Sequence, residues 1–178
     1  MTGVKLITSN PYKFKEFQKL IPNISMENGQ DLKEVDGTKE EVAIYKALMA
    51  GDNCMVEDTI LEVNGKEIVD IRWKIKELKT GQKSVWITTL ALNKNNHIIL
   101  FKGEISGTLD TEKFIKDTFG FDSVFIPNNS NKSLHELKNE KDNFSARKLA
   151  IQNFMKNNSY KIISIESIPK WTGKWQND

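Results

Sequence analysis

The chain has 178 residues, 38% of them apolar and 28% charged, with a formal net charge of +2. That length suits one domain or two small lobes of one, and the apolar share excludes a disordered chain. The near-neutral balance excludes binding to DNA, RNA or an acidic membrane surface through bulk charge, and no apolar run approaches membrane-spanning length.

Val4–Thr8 is a short apolar strand, and Pro11 then suits the first turn of a helix whose apolar residues Phe14, Phe17 and Ile21 recur at helical spacing. Asn10 or Ser9 caps it. A second helix begins at Thr38, where Thr38 and Glu41 form a capping-box pattern ahead of Ala43, Ile44, Ala47 and Leu48. Gly51-Asp52-Asn53 ends it. Cys54-Met55-Val56 reads as a short buried strand, and Asn64-Gly65 as a turn of hairpin type. Cys54 is alone, so it makes no intrachain disulfide and fits a small buried apolar residue; with no signal-peptide core at the N-terminus, the expected location is cytoplasmic. Ile71, Ile75 and Leu78 suggest a short helix closed by Gly81. Ser84–Leu92 and Ile98–Leu109 are strands joined at Asn93–His97. Glu112–Thr118 reads as helix and Gly120–Pro127 as turn and strand. Ser145 to about Asn157 is the last long helix, and Tyr160–Ile168 alternates as a strand does. The strands and helices mix without strict alternation, which indicates α/β or α+β.

Three segments carry candidate chemistry. In Thr8-Ser9-Asn10-Pro11-Tyr12-Lys13, a strand ends and a helix begins, and free N–H groups at a helix start attract anions. A lysine there opposes the helix dipole unless an anion lies between, so Lys13 is placed for a phosphate. Glu16, one turn on, holds Lys13 or reaches a metal. The ordinary alternative is a capped helix with a surface ion pair. Glu57-Asp58 follows the buried strand, where carboxylates are costly unless they serve a cation or a proton transfer; a solvated turn is the bland alternative. Lys141, Ser145 and Arg147 flank a second basic helix start, suited to an anion or a base carbonyl, or simply a capped surface helix. His97 and His135 have no metal-site spacing and read as surface residues.

Taken in order, these segments resemble the inosine triphosphate pyrophosphatase family, the Ham1 and RdgB-type enzymes. Thr8, Asn10, Lys13 and Glu16 match its Thr/Ser-x-Asn-x-x-Lys-x-x-Glu opening. Leu32-Lys33-Glu34-Val35-Asp36-Gly37 is similar to its acidic segment before the second helix. Val56-Glu57-Asp58-Thr59, Gly120-Phe121-Asp122-Ser123-Val124-Phe125 and Glu140-Lys141-Asp142-Asn143-Phe144-Ser145-Ala146-Arg147 resemble its remaining motifs. The matches span about residues 4–155. The resemblance implies an α/β fold with a mixed sheet, two lobes around a central cleft, Mg²⁺, a homodimer, and conversion of ITP, dITP or XTP to monophosphate and pyrophosphate. It implies that Thr8, Ser9, Asn10, Lys13, Lys141 and Ser145 hold the substrate. Glu34, Glu57 and Asp58 manage the metal, Asp58 acting as base. Phe121 stacks on the purine, and Asp122 and Arg147 read its edge.

The chain departs from the pattern at four places. Ala146 stands where the family has a histidine that helps recognise the 6-oxo edge. The family's Pro-Gly loop is replaced by Glu67-Ile68-Val69-Asp70-Ile71-Arg72, with Arg72 in place of a family basic residue. The segment between Lys79 and Ser84 is short, which trims the second lobe. Residues 159–178 follow a nucleotide-binding domain of residues 1–158 as a strand and a tail carrying Trp171 and Trp175. That tail either meets a protein partner or folds back over the chain's own core. Two functional readings follow: a hydrolase, or a (d)ITP-sensing subunit of a multiprotein complex, such as an antiviral defence assembly with an effector enzyme.

Overall fold

The computed structural model describes residues 3–29, 32–68, 74–118 and 120–176. The chain is mixed α/β, as its pattern of elements predicts. Over the described residues it runs β1 (Lys5–Ile7), α1 (Pro11–Leu20), β2 (Ser25–Glu27), α2 (Lys39–Ala50), β3 (Cys54–Val63) and β4 (Lys66–Ile68). It continues with β5 (Lys83–Lys94), β6 (His97–Leu109), β7 (Phe125–Pro127), α3 (Leu134–Leu137), α4 (Ala146–Met155) and β8 (Lys161–Ser164). The strand order is β2-β1-β3-β5-β6-β7, with β4 on β3 and β8 on β6. β1 pairs parallel with β2 and β3, whereas β4, β7 and β8 pair antiparallel. The contacts divide into two compact units: residues 1–58, 88–103 and 147–178, and residues 59–87 and 104–146.

In the first unit, two apolar clusters form. One joins α1 and α4 through Phe17, Ile151 and Phe154 to Leu6, Met55 and Leu90. The other joins α2, through Ala43, Ile44 and Ala47, to Val56, Ala91 and Ile98. Met55 and Val56 therefore face different helices, as strand alternation requires. Each fully buried Phe or Leu contributes about 1.5–3 kcal/mol. In the second unit, the cluster holds Leu61, Trp86, Val124, Phe125, Leu134 and Ala146.

Local signals act where they are read. Asn10 Oδ1 accepts from the Tyr12 and Lys13 amides and starts α1. Thr38 and Glu41 close a full capping box on α2. Asn64 and Gly65 turn with φ of 50° and 80°, and Asn95 and Asn96 with 51° and 62°. Positive φ at both central residues of a two-residue hairpin matches the strand twist.

Several expectations are corrected. The strand begun at Cys54 does not stop at Val56 but runs to Val63. Glu112–Thr118 is not a helix: a single 3₁₀ turn spans Thr111–Lys113, and the Phe114 backbone then leaves helical space at ψ 126°. Ser123 Oγ accepts the Ile115 amide beyond it, which diverts the chain from a helical ladder. In the helix expected from Ile71, Ile75 and Leu78, Lys74 is helical and a 3₁₀ turn follows over Ile75–Glu77; Ile71 lies outside the described residues. The final alternating segment is a strand only over Lys161–Ser164, and Ile165–Ser167 then tightens to 3₁₀. β2 and α3 were not anticipated. α3 carries a readable signal, since Ser133 and Glu136 form a capping box. Cys54 is buried and unbridged, and His97 and His135 are exposed.

Candidate active site

Because β3 continues through the acidic pair, Glu57 and Asp58 are consecutive residues inside a strand. Alternation sends Glu57 the way Met55 points, toward α1 and α4, and Asp58 the way Val56 points, toward α2. The two still share one electrostatic neighbourhood, since Glu57 and Lys13 both act on the Asp58 carboxyl.

On the first face, Glu57 is 2% exposed in its side chain and meets two cations. Lys13 Nζ of α1 lies 2.7 Å from Glu57 Oε2, and an Arg147 nitrogen of α4 lies 3.4 Å from Oε1. Arg147 also donates to Glu16, one turn along α1 from Lys13. The result is an alternating row, Lys13–Glu57–Arg147–Glu16. Burial pulls the Arg147 guanidinium down, but Glu57 and Glu16 outweigh this and hold it above its ordinary value. Lys13 thus answers a carboxylate across the site, and Glu16 answers Arg147 rather than Lys13. Thr8 Oγ1 accepts the Asn10 amide, so Thr8 and Asn10 shape the turn, while Ser9 is exposed above it.

On the second face, Asp58 lies near Lys46 and Glu34. Lys46 Nζ sits 3.0 Å from Glu34 Oε1. Burial pushes the Asp58 carboxyl up to about 6; Lys46 and Lys13 oppose the rise, and Glu57 and Glu34 add to it. Sequence reading missed Lys46. Its signal was position: it interrupts the apolar stripe of α2 one residue before Ala47, with a side chain only 16% exposed.

Among the described residues, no three Asp, Glu, His or Cys side chains converge closely enough to hold a metal by themselves. The donors at hand are carboxylate oxygens, and Mg²⁺ takes one or two of these with phosphate oxygens and waters completing its shell. Glu34 and Asp58 fit that requirement as a donor set.

In the second unit, the Phe121 ring packs edge-to-face on Trp86 at 5.8 Å and on Phe125 at 5.8 Å. Lys141, expected at a phosphate, is ion-paired with Asp122. Ala146 is fully buried in the apolar cluster with Trp86 and Leu134. Trp86, another residue the sequence did not single out, is 5% exposed, and its indole nitrogen has no hydrogen-bond partner among the described residues. Ser145 immediately precedes α4 and is half-buried. Arg72 lies outside the described residues.

The tail folds back. Trp171 stacks edge-on against Tyr45 of α2 at 5.2 Å, and Trp175 forms an antiparallel bridge with Val35.

On this mixed α/β fold, one buried strand thus delivers two carboxylates, Glu57 paired with Lys13 and Asp58 under the influence of Lys46. Residues 4–67 and 67–157 match the Ham1 family, and the chain belongs to it. It is 28% identical over 179 residues to a dITP/XTP pyrophosphatase of Christiangramia forsetii, covering 83% of this chain and 94% of that one. It is 26% identical over 164 residues to a dITP/XTP pyrophosphatase of Korarchaeum cryptofilum, covering 79% and 87%. Its fold is similar to the solved Ham1 protein of Staphylococcus aureus, with a TM-score of 0.71 at 23% identity over 87% of this chain and 98% of that one. A HAM1 protein from Coxiella burnetii gives a TM-score of 0.68 at 20% identity, covering 89% and 98%.

Proposed function

We propose that this chain hydrolyses deaminated purine nucleoside triphosphates (ITP, dITP and XTP) to the monophosphate and pyrophosphate. The observation that carries the reading is Asp58: a mostly buried carboxyl with a pKa of about 6, beside the Lys13–Glu57–Arg147 row. A base with a pKa near the working pH combines a large deprotonated fraction with useful proton affinity. Asp58 accepts the proton of a water that attacks the α-phosphorus. The new bond joins water oxygen to that phosphorus, and the bond to the bridging oxygen breaks to release pyrophosphate.

Lys13 turns from Glu57 to the phosphates, leaving Arg147 to compensate Glu57. Glu34 and Asp58, with Glu57 nearby, would hold Mg²⁺. When bound, the ion neutralises triphosphate charge and makes pyrophosphate a better leaving group. Phe121 is the stacking surface for the base, and Asp122 its edge reader, released from Lys141 as that lysine takes phosphate. Ser145 and Arg72 complete the substrate-binding set. The active form is a homodimer.

The sensing alternative needs a tail available to a partner. Trp171 and Trp175 are engaged with Tyr45 and Val35, so hydrolysis is the reading carried forward. Incubation with dITP and Mg²⁺ should release pyrophosphate. Folded protein that releases none from dITP, ITP or XTP would overturn the proposal.

A further inference from the structure

The C-terminal segment forms a strap on the loop that carries Glu34. Asp36 donates its amide to the Lys174 carbonyl at 2.9 Å, and Gln176 donates its amide to the Glu34 carbonyl at 2.9 Å. The Gln176 side-chain nitrogen donates to the Val35 carbonyl at 3.1 Å. Thus every residue from 34 to 36 is bonded to the tail, around the Val35–Trp175 bridge. The strap is itself fastened. Tyr45 Oη donates to the Pro169 carbonyl at 2.6 Å, and the Trp171 ring lies so near Gly37 that a Cβ there would come within 3.1 Å of it. Tyr45 is the residue before Lys46, whose ammonium holds the Glu34 carboxylate. Consecutive residues of α2 therefore anchor the strap and the carboxylate. The family match ends at residue 157, so the strap lies outside it.

We propose that Gln176 is a positioning residue: through the strap it fixes the backbone of Glu34, and so the Glu34 carboxylate, for a divalent cation. This rests on the reading of Glu34 as a metal-holding residue. Its physical basis is pre-organisation. A carboxylate on a loop must be ordered when the ion binds, and a strap that orders it beforehand removes that cost.

The test uses Mn²⁺ alone as the probe, titrated without nucleotide and followed by its paramagnetic resonance signal. Two variants are compared with the full chain: one ending at Pro169, and Gln176→Pro, which removes both Gln176 donors while leaving Trp171 in place. Both should bind Mn²⁺ about tenfold more weakly, the scale on which residues supporting a metal ligand act. dITP binding in the presence of a chelator should stay within about twofold, because among the described residues the bonds of Lys13 and Asn10 are to Glu57 and the α1 turn, and those of the strap to residues 34–36 and Tyr45. If the shortened chain does not fold, Gln176→Pro decides. Unchanged Mn²⁺ binding in a folded variant overturns the strap proposal and leaves the proposed function standing. Equal weakening of Mn²⁺ and chelator-insensitive dITP binding also overturns it, since that marks a general structural role. A full chain that binds no Mn²⁺ with or without dITP overturns the metal assignment, and the strap proposal with it.

Discussion

The two oxygens of Glu57 are divided between Lys13, at 2.7 Å, and Arg147, at 3.4 Å, inside a strand where the side chain is 2% exposed. A buried charge set of this kind adds little over an apolar replacement, yet breaking it from one side leaves charge uncompensated. Glu57→Gln keeps the shape and removes the charge, taking the carboxylate from Lys13 and leaving Arg147 to Glu16. The variant should lose about 3–5 kcal/mol of stability, read by urea denaturation. Adding Lys13→Met should return part of that loss. If the double variant is as unstable as the sum of the two single ones, the three groups do not act as a unit.

Asp58 predicts opposite pH trends for stability and rate. Its carboxyl is raised from 3.8 to about 6 on folding, chiefly by burial. The protonated form is therefore favoured in the folded state. This contribution is fully present below the unfolded pKa and is lost as pH rises through about 6. Asp58→Asn should shrink the difference in unfolding free energy between pH 4 and pH 8, by on the order of 1–3 kcal/mol, measured by denaturation at both pH values. Pyrophosphate release by the unsubstituted chain should instead rise with pH through the same region, because the base must be deprotonated. A rate independent of pH from 5 to 8 would remove Asp58 from that role.

Lys46 tunes the same group. It is the largest influence holding the Asp58 pKa down against burial. Lys46→Met keeps the buried stem and removes the charge, so the Asp58 carboxyl should rise further. The rising limb of the pH–rate profile should then move to higher pH, with a slower rate at neutrality. A limb that stays in place would show that Glu34, freed from Lys46, moves away from Asp58.

These relationships explain what the sequence made visible. The starts of α1 and α2 and both Asn-containing hairpin turns were legible because each is decided by residues within three positions of one another. β2 was not, since Ser25, Met26 and Glu27 are all exposed and form a strand only by pairing with Lys5, Leu6 and Ile7. Glu57 and Asp58 could be picked out as costly carboxylates, but not as neighbours on opposite faces. What makes them tolerable comes from afar: Arg147 is 90 positions from Glu57. Side-chain spacing within one segment carries no trace of such a partner.

Ala146 shows the same limit from the other side. Resemblance sets a histidine at this position, and its absence suggests a missing donor that a single substitution could restore. The structure argues otherwise. Ala146 is fully buried, and its cluster includes the fully buried Val124, Phe125 and Leu134. An imidazole adds several heavy atoms to a packed interior, and overpacking costs about 1–3 kcal/mol. Its ring nitrogens would also need partners among apolar side chains. Ala146→His should therefore melt at a lower temperature and bind dITP no more tightly than the original chain. Calorimetry of both properties checks this. Tighter dITP binding at an unchanged melting temperature would mean that the ring leaves the cluster for the ligand, and that Ala146 marks a lost contact rather than a repacked interior.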